Sequence, residues 1–402
     1  MNQQKRAIIT ISLCGAFLFY KYILQNFPSI MAPQLMAAFH LQGLGLGMLS
    51  GVYFWTYLVV PLFVGIILDR YGVRWVTSMS ILCCAIGMFW FAKTQELQFA
   101  IWSRAIVGVG VSFATVAFLK LASTLFDKKY YALLTSLLVV SGMIGAVFGQ
   151  MPLAWLMHHV GWRQSLLILA GLGLLLSVAF GLLVRDSSNV IAHDENQHLW
   201  QDMMQIFKSK QNWLLTAYSG LAFSPVVIFC GLWGNPFLQT AHHLDKLTAP
   251  SLISMVFIGL AIASPVFAKL SEYVKDRLSF MMYTTLGSSL SLMAIIYIHP
   301  LPIAMIGFLL FVFGFSLGAF PLVFVLGKES NPLHLVGTAI AFINASDALF
   351  DAITEPLIGK VLDIINHGSD FSVLSYMIAL TILPLYQIIG AVLLKGVRDK
   401  NH

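Results

Sequence analysis

The sequence predicts an all-α polytopic membrane protein with twelve transmembrane helices in two six-helix pseudo-repeats. Three observations carry that prediction. Hydrophobic residues make up 58% of the 402 and charged residues only 10%, against about half and about a quarter in soluble domains. Apolar stretches of roughly 20 residues, the length that crosses a bilayer core, recur from one end to the other. Landmark residues repeat at a nearly constant offset. Such a composition cannot cover a water-facing surface. A soluble enzyme, a disordered chain and a nucleic-acid binder are therefore disfavoured together.

The spans follow in order. The first six lie near 7–28, 44–68, 74–93, 97–125, 131–157 and 162–184. A polar interval rich in Asp, Asn, Gln, His and Lys comes next. Six more spans lie near 212–238, 250–270, 279–298, 302–326, 334–361 and 372–395. The expected domains are an N-terminal bundle (1–184), a cytoplasmic linker (185–211) and a C-terminal bundle (212–402). The first span is too long for a signal-peptide core and no small-residue cleavage site follows, so it is expected to stay.

Charge sets the orientation. With the N-terminus inside, sixteen Lys and Arg fall on inner segments and four (Lys93, Arg163, Lys246, Lys360) on outer ones. Cytoplasmic loops collect such residues, so both termini and the linker are expected in the cytoplasm. The net charge of +6 reflects this bias and not a polynucleotide footprint. Three pairs of landmarks mark the repeat. Pro28 and Pro236 are offset by 208, Asp69 and Glu272 by 203, and Pro152 and Pro356 by 204. Six-helix repeats around a midplane site are a transporter plan.

The motifs sharpen the class. Gly65-Ile-Ile-Leu-Asp69-Arg70-Tyr-Gly72-Val-Arg74 closes the second span. Gly65 and Gly72 would permit close helix approach and a tight turn. Asp69 would sit against the positive end of a neighbouring helix and latch an inner gate. The second half repeats the pattern in degenerate form around Ala268 and Glu272, which predicts a weaker latch. Arg104 is followed by Gly108 and Gly110 in span four, and Gly142, Gly145, Gly149 and Pro152 give span five a small-residue stripe.

The first of these motifs resembles the signature between helices two and three of the major facilitator superfamily. The Arg104 segment is similar to that family's helix-four motif. The resemblance implies that helix eleven receives Asp69, and that helices one and four line a central cavity. Phe19-Tyr20-Lys21-Tyr22, Leu119-Lys120-Leu121-Ala122, Gly149-Gln150-Met151-Pro152, Gly161-Trp162-Arg163 and Leu232-Trp233-Gly234-Asn235-Pro236 narrow it further. Together they resemble the branch of lysosomal dipeptide transporters and phagosomal nutrient transporters of intracellular bacteria. That branch often carries an acid where Lys21 stands and a base where Gln25 stands. The sequence departs at both, which leaves the solute open.

Six charged residues lie inside spans. Lys21, Arg104 and Lys120 are cations; Asp347, Asp351 and Glu355 form a stripe spaced by four on span eleven. Intramembrane ionisable groups point to function by default. Crowded carboxylates repel when all are ionised, so one at least is expected to carry a proton and to serve coupling. Structural pairing between the acids and the cations is the competing reading. Lys21 and Lys120 are the expected contacts for a solute carrying carboxylate or phosphate, with Tyr20, Gln150 and Trp233 orienting it. Gly65, Asp69, Arg70, Gly72, Arg74 and Arg104 are the expected conformational gate.

Other chemistry is thin. Cys14, Cys83, Cys84 and Cys230 all lie in apolar runs and form no CxxC pair, so they read as packing residues. His158-His159 and His242-His243 invite a metal, but no further ligand arrives at helical spacing, and no metal or cofactor is expected. Walker, nucleophile-elbow and HExxH motifs are missing, so an ion gradient is the expected motor. The expected function is secondary active transport by alternating access in a bacterial inner membrane, by a monomer that takes its solute up with protons. The solute would be a small anion or zwitterion: an amino acid, short peptide, nucleoside-type nutrient or carboxylate siderophore. An exporter of the same fold, a non-transporting solute sensor and a membrane enzyme are the alternatives.

Overall fold

The computed structural model describes residues 3–127, 130–185, 199–271, 273–274, 276–332, 335–367 and 371–398. Contacts divide the chain into two units: Met1–Leu41 with Leu49–Glu195, and Gln42–Met48 with Asn196–His402. The first carries α1 (Gln3–Phe39), α2 (Gly43–Val59, whose opening turns group with the second unit), α3 (Pro61–Tyr71), α4 (Val73–Lys93), α5 (Leu97–Val111), α6 (Phe113–Leu125), α7 (Tyr131–Phe148), α8 (Met151–Val160) and α9 (Trp162–Leu183). The second carries α10 (Leu199–Lys208), α11 (Lys210–Ile228), α12 (Gly234–Ala241), α13 (Thr248–Leu270), α14 (Arg277–Tyr297), α15 (Ile303–Ser316), α16 (Leu322–Ser330), α17 (Val336–Asn366), α18 (Val373–Leu380) and α19 (Ile382–Leu393). Among the described residues, eleven helical segments are long and apolar enough to cross a membrane. A bent pair, α2 with α3, makes a twelfth.

Several boundaries differ from the sequence expectation, and prolines explain most of them. The second span is not straight: α2 and α3 meet at 54° where Pro61 opens α3, since proline removes a donor and crowds the preceding turn. The first span does not stop at Pro28. Helix α1 runs through Pro28 and Pro33 to Phe39. Proline is tolerated inside a membrane helix when a neighbour serves the carbonyl it frees. Here that carbonyl is Leu24's, four residues before Pro28, and Arg104 Nη1 donates to it at 2.7 Å.

The first unit is organised by two helix pairs. Helix α4 packs on α5 and α9, and α1 packs on α7. In the α4–α9 pair each helix opens with a glycine at φ 81°, Gly72 and Gly161, a backbone that L side chains rarely adopt. Two residues later each carries an arginine that serves the other's last turn. Arg74 Nε donates to Gly181 O at 2.7 Å, and Arg163 Nη1 donates to Ala92 O and Thr94 O at 2.8 and 2.7 Å. The clasp satisfies helix-end carbonyls that otherwise lack partners.

The glycine stripe of α7 is a packing surface for α1. A Cβ on Gly145 would stand 2.3 Å from Phe19 O, and one on Gly142 would stand 2.6 Å from the Tyr22 ring. Gly145→Ala is therefore expected to cost about 1–3 kcal/mol as overpacking against backbone. Gly171→Ala, with open space around it, is expected to be accepted. Melting temperatures of the two variants in detergent check the contrast; equal shifts would refute it.

In the second unit α11 packs on α17 and α19, and α13 on α15. A π-turn, Phe229–Trp233, joins α11 to α12. The expected polar linker holds a helix. Residues 186–198 lie outside the described residues, but α10 docks on the start of α17, with Ile206 buried beside Leu335 and Ala339. Within this unit the opening of α2 lies on α17. Asp363 accepts from the backbone amides of Gly43 and Leu44 at 2.7 and 2.8 Å, an acid at a helix N-terminus as its dipole favours. Gly43 and Gly359 let the two backbones touch.

Candidate substrate and coupling sites

In the first unit the α1 face around Lys21 gathers tyrosines. Lys21 is 4% exposed. Its ammonium donates to Tyr57 Oη at 2.8 Å and lies over the rings of Tyr57 and Tyr22, 4.4 and 5.3 Å from their centroids. Tyr53 lies parallel to Tyr57, one turn earlier on α2. Among the described residues no carboxylate forms an ion pair with Lys21. Its surroundings are thus two aromatic faces and one hydroxyl, and an ionisable group so placed inside a span points to function by default.

The other expected residues of this unit have definite places. Lys120, on α6, forms an ion pair and hydrogen bond with Asp69 at the end of α3. The sequence points it at a solute; the structure pairs it with Asp69, one of the expected gate residues. Tyr20 is another expected solute contact, but its hydroxyl donates to Leu169 O at 3.0 Å and fills the space that Gly173 leaves in α9. Gln150 is buried at the N-cap of α8. Arg104 is 1% exposed, between the rings of Phe27 and Tyr53 at 4.8 Å from each. Gly72 carries the positive φ of the turn. Arg70 lies over the Tyr71 ring, and Arg74 over that of Trp75. Gly65 differs from the packing expectation: among the described residues nothing lies within 4 Å of the position a Cβ would take.

In the second unit the acid stripe of α17 is buried progressively. Asp347 is half-buried, Asp351 is 2% exposed and Glu355 fully buried. Asp347 Oδ1 accepts from Ser219 Oγ on α11 at 2.9 Å, and Ser224 Oγ donates to the Asp347 carbonyl at 3.1 Å. Asp351 Oδ1 is buried without a hydrogen-bond partner among the described residues. Trp233 Nε1 donates to the Glu355 carbonyl at 3.2 Å, so its indole ties the π-turn to α17 just before Pro356. The expected second latch at Glu272 lies outside the described residues. Its neighbours form different contacts: Asp276 caps α14 at Ser279 N, and Arg277 pairs with Glu329 at 3.2 Å.

Sequence reasoning missed Tyr53, Tyr57, Ser219 and Ser224. All four were visible as polar side chains inside apolar runs. What the sequence lacks is the rotation of each helix, which decides the face a residue occupies.

Two bundles of membrane-length helices with buried charged side chains define a polytopic membrane protein. The chain belongs to the Major Facilitator Superfamily, whose profile matches residues 11–354. The uncharacterized transporter YybO of Bacillus subtilis is 26% identical over 169 residues, 42% of this chain and 39% of YybO, so the chain spans well under half of that relative. The lysosomal dipeptide transporter MFSD1 of Homo sapiens is 23% identical over 388 residues, 89% of this chain and 80% of MFSD1. The crystal structure of the nucleoside transporter NupG superposes with a TM-score of 0.74 at 17% identity, over 98% of this chain and 99% of NupG. That likeness shows the fold.

Proposed function

We propose that the protein is a secondary active transporter for a small organic solute bearing a carboxylate or phosphate, taken up with protons across a bacterial inner membrane. Lys21 carries the reading: it is a buried cation among tyrosines with no carboxylate paired to it among the described residues. Lys21 supplies the charge, and Tyr57 and Tyr22 supply a hydroxyl and apolar faces, the mixture that small-molecule sites use. Amino acids, short peptides, nucleoside-type nutrients and carboxylate siderophores all fit. The transporter relatives over most of the chain support transport of a small solute and leave no enzymatic step to assign. The inner-face bias of Lys and Arg supports cytoplasmic termini, and a monomer is the working unit.

Asp347 and Asp351 are assigned the proton step. A carboxylate at membrane depth favours its neutral form until a partner or water reaches it, so exposure during transport would release a proton. The expected result for Asp351→Asn is loss of accumulation driven by a pH gradient, with solute exchange retained in proteoliposomes. Gradient-driven accumulation at the wild-type level would remove Asp351 from the proton path. The substrate class is tested by thermal shift of the purified protein with amino acids, dipeptides, nucleosides, organic acids and ferric carboxylate chelates. A ligand of the folded state raises apparent stability by mass action. Stabilisation by neutral or cationic solutes alone would overturn the anion reading.

A further inference from the structure

At the end of the second unit where α12 and α14 both finish, two imidazoles meet. His242 follows the last residue of α12, and His299 lies two residues beyond α14. Their ring centroids are 4.7 Å apart, with planes tilted by 33°. Phe237 stands edge-on to both, 6.0 Å from each centroid. His242 Nε2 lies 3.4 Å from Ile295 O. A ring nitrogen bonded to a carbonyl is the N–H of that tautomer, which leaves a lone pair on the other. That other, His242 Nδ1, and His299 Nε2 are buried without a hydrogen-bond partner among the described residues.

A buried acceptor with no donor is costly, and here two occur on touching rings. An imidazole whose N–H is fixed by a backbone carbonyl, as in His242, is what metal-binding histidines present. The sequence sets His242 beside His243, but His243 is exposed. The companion ring arrives instead from just beyond the end of α14.

We propose that His242 and His299 form a two-imidazole site for a divalent first-row transition-metal ion, with water completing the coordination. Imidazole suits Zn(II), Cu(II) and Ni(II), whereas Mg(II) and Ca(II) take oxygen ligands. A bound ion satisfies both lone pairs at once and staples the end of α12 to the end of α14.

The test is Zn(II) affinity of the purified full-length protein in detergent at pH 7.5, by competition with a chromogenic chelator. Wild type binds one ion at this site, and His242→Ala and His299→Ala each weaken binding by roughly tenfold or more, the scale of losing support at a metal site. His158→Ala, which alters the other adjacent pair, keeps wild-type affinity. Equal affinity in all four proteins overturns the proposal. Cu(II) electron paramagnetic resonance on wild type needs no variant: coupling to two imidazole nitrogens is expected. Coupling to one or none, or uptake of a single proton with no metal bound, overturns it as well.

Discussion

Lys21→Met is expected to lower kcat/KM for transport by roughly ten- to a hundredfold while leaving the melting temperature unchanged or higher. The two effects part in this way if the lysine serves the solute and not the fold. A hydrogen bond to a charged group contributes about 1.5–3 kcal/mol. Losing one to the solute lowers kcat/KM by roughly ten- to a hundredfold, since about 1.4 kcal/mol is tenfold. In the unliganded protein the same ammonium is 4% exposed and answered by a tyrosine hydroxyl and two ring faces. Replacing a buried charge by a well-packed apolar side chain of similar volume is often neutral or stabilising. A purely structural lysine gives the reverse pattern, with a lower melting temperature and flux that falls only with the amount of folded protein. Lys21→Arg is not a conservative control, because a planar guanidinium with its fixed fork of donors differs from the compact point charge of an ammonium at a site stacked on rings. Flux and melting curves on the same preparations decide between the patterns.

The fold was legible because membrane spans are written in composition. Twelve apolar runs at the required length leave few alternatives, and the Asp69 motif together with Arg104 named the family. The sites were less legible, for a geometric reason. Apolar residues surround these helices on every side, so no amphipathic stripe reports which face turns inward. Lys21, Tyr20 and Tyr22 are sequence neighbours. Yet Tyr20 points to Leu169 on α9 while Lys21 points to Tyr57 on α2. Lys120 likewise reads as a cavity cation until α3 brings Asp69 to it. Carbonyl acceptors are also invisible in a sequence, so the roles of Arg74, Arg163 and Trp233 appear only when helix ends and kinks are placed.

Arg104 shows how one such role can be isolated by experiment. Its Nη1 serves the Leu24 carbonyl that Pro28 deprives of an intrahelical donor. It also lies between Phe27 and Tyr53. Arg104→Met removes the donor, and an unserved carbonyl in a nonpolar interior costs about 1–3 kcal/mol. It removes two ring contacts of about 0.5–2 kcal/mol each, and relieves some burial of charge. A net loss of about 2 kcal/mol is expected from those terms together. Pro28→Ala returns an N–H to the helix, so the Leu24 carbonyl regains its own partner. In that background Arg104→Met should cost less by the carbonyl's share. Bonds between membrane helices average about 0.6 kcal/mol and reach about 1.7, so a coupling of about 1 kcal/mol is expected from the four-protein cycle. Reversible unfolding of wild type, the two single variants and the double variant in mixed micelles measures it. A coupling of zero would mean that contacts other than the Leu24 carbonyl hold Arg104, and that α1 passes Pro28 without its help. A coupling near the full single-variant loss would mean that the guanidinium's place in span four was fixed by one missing hydrogen in span one.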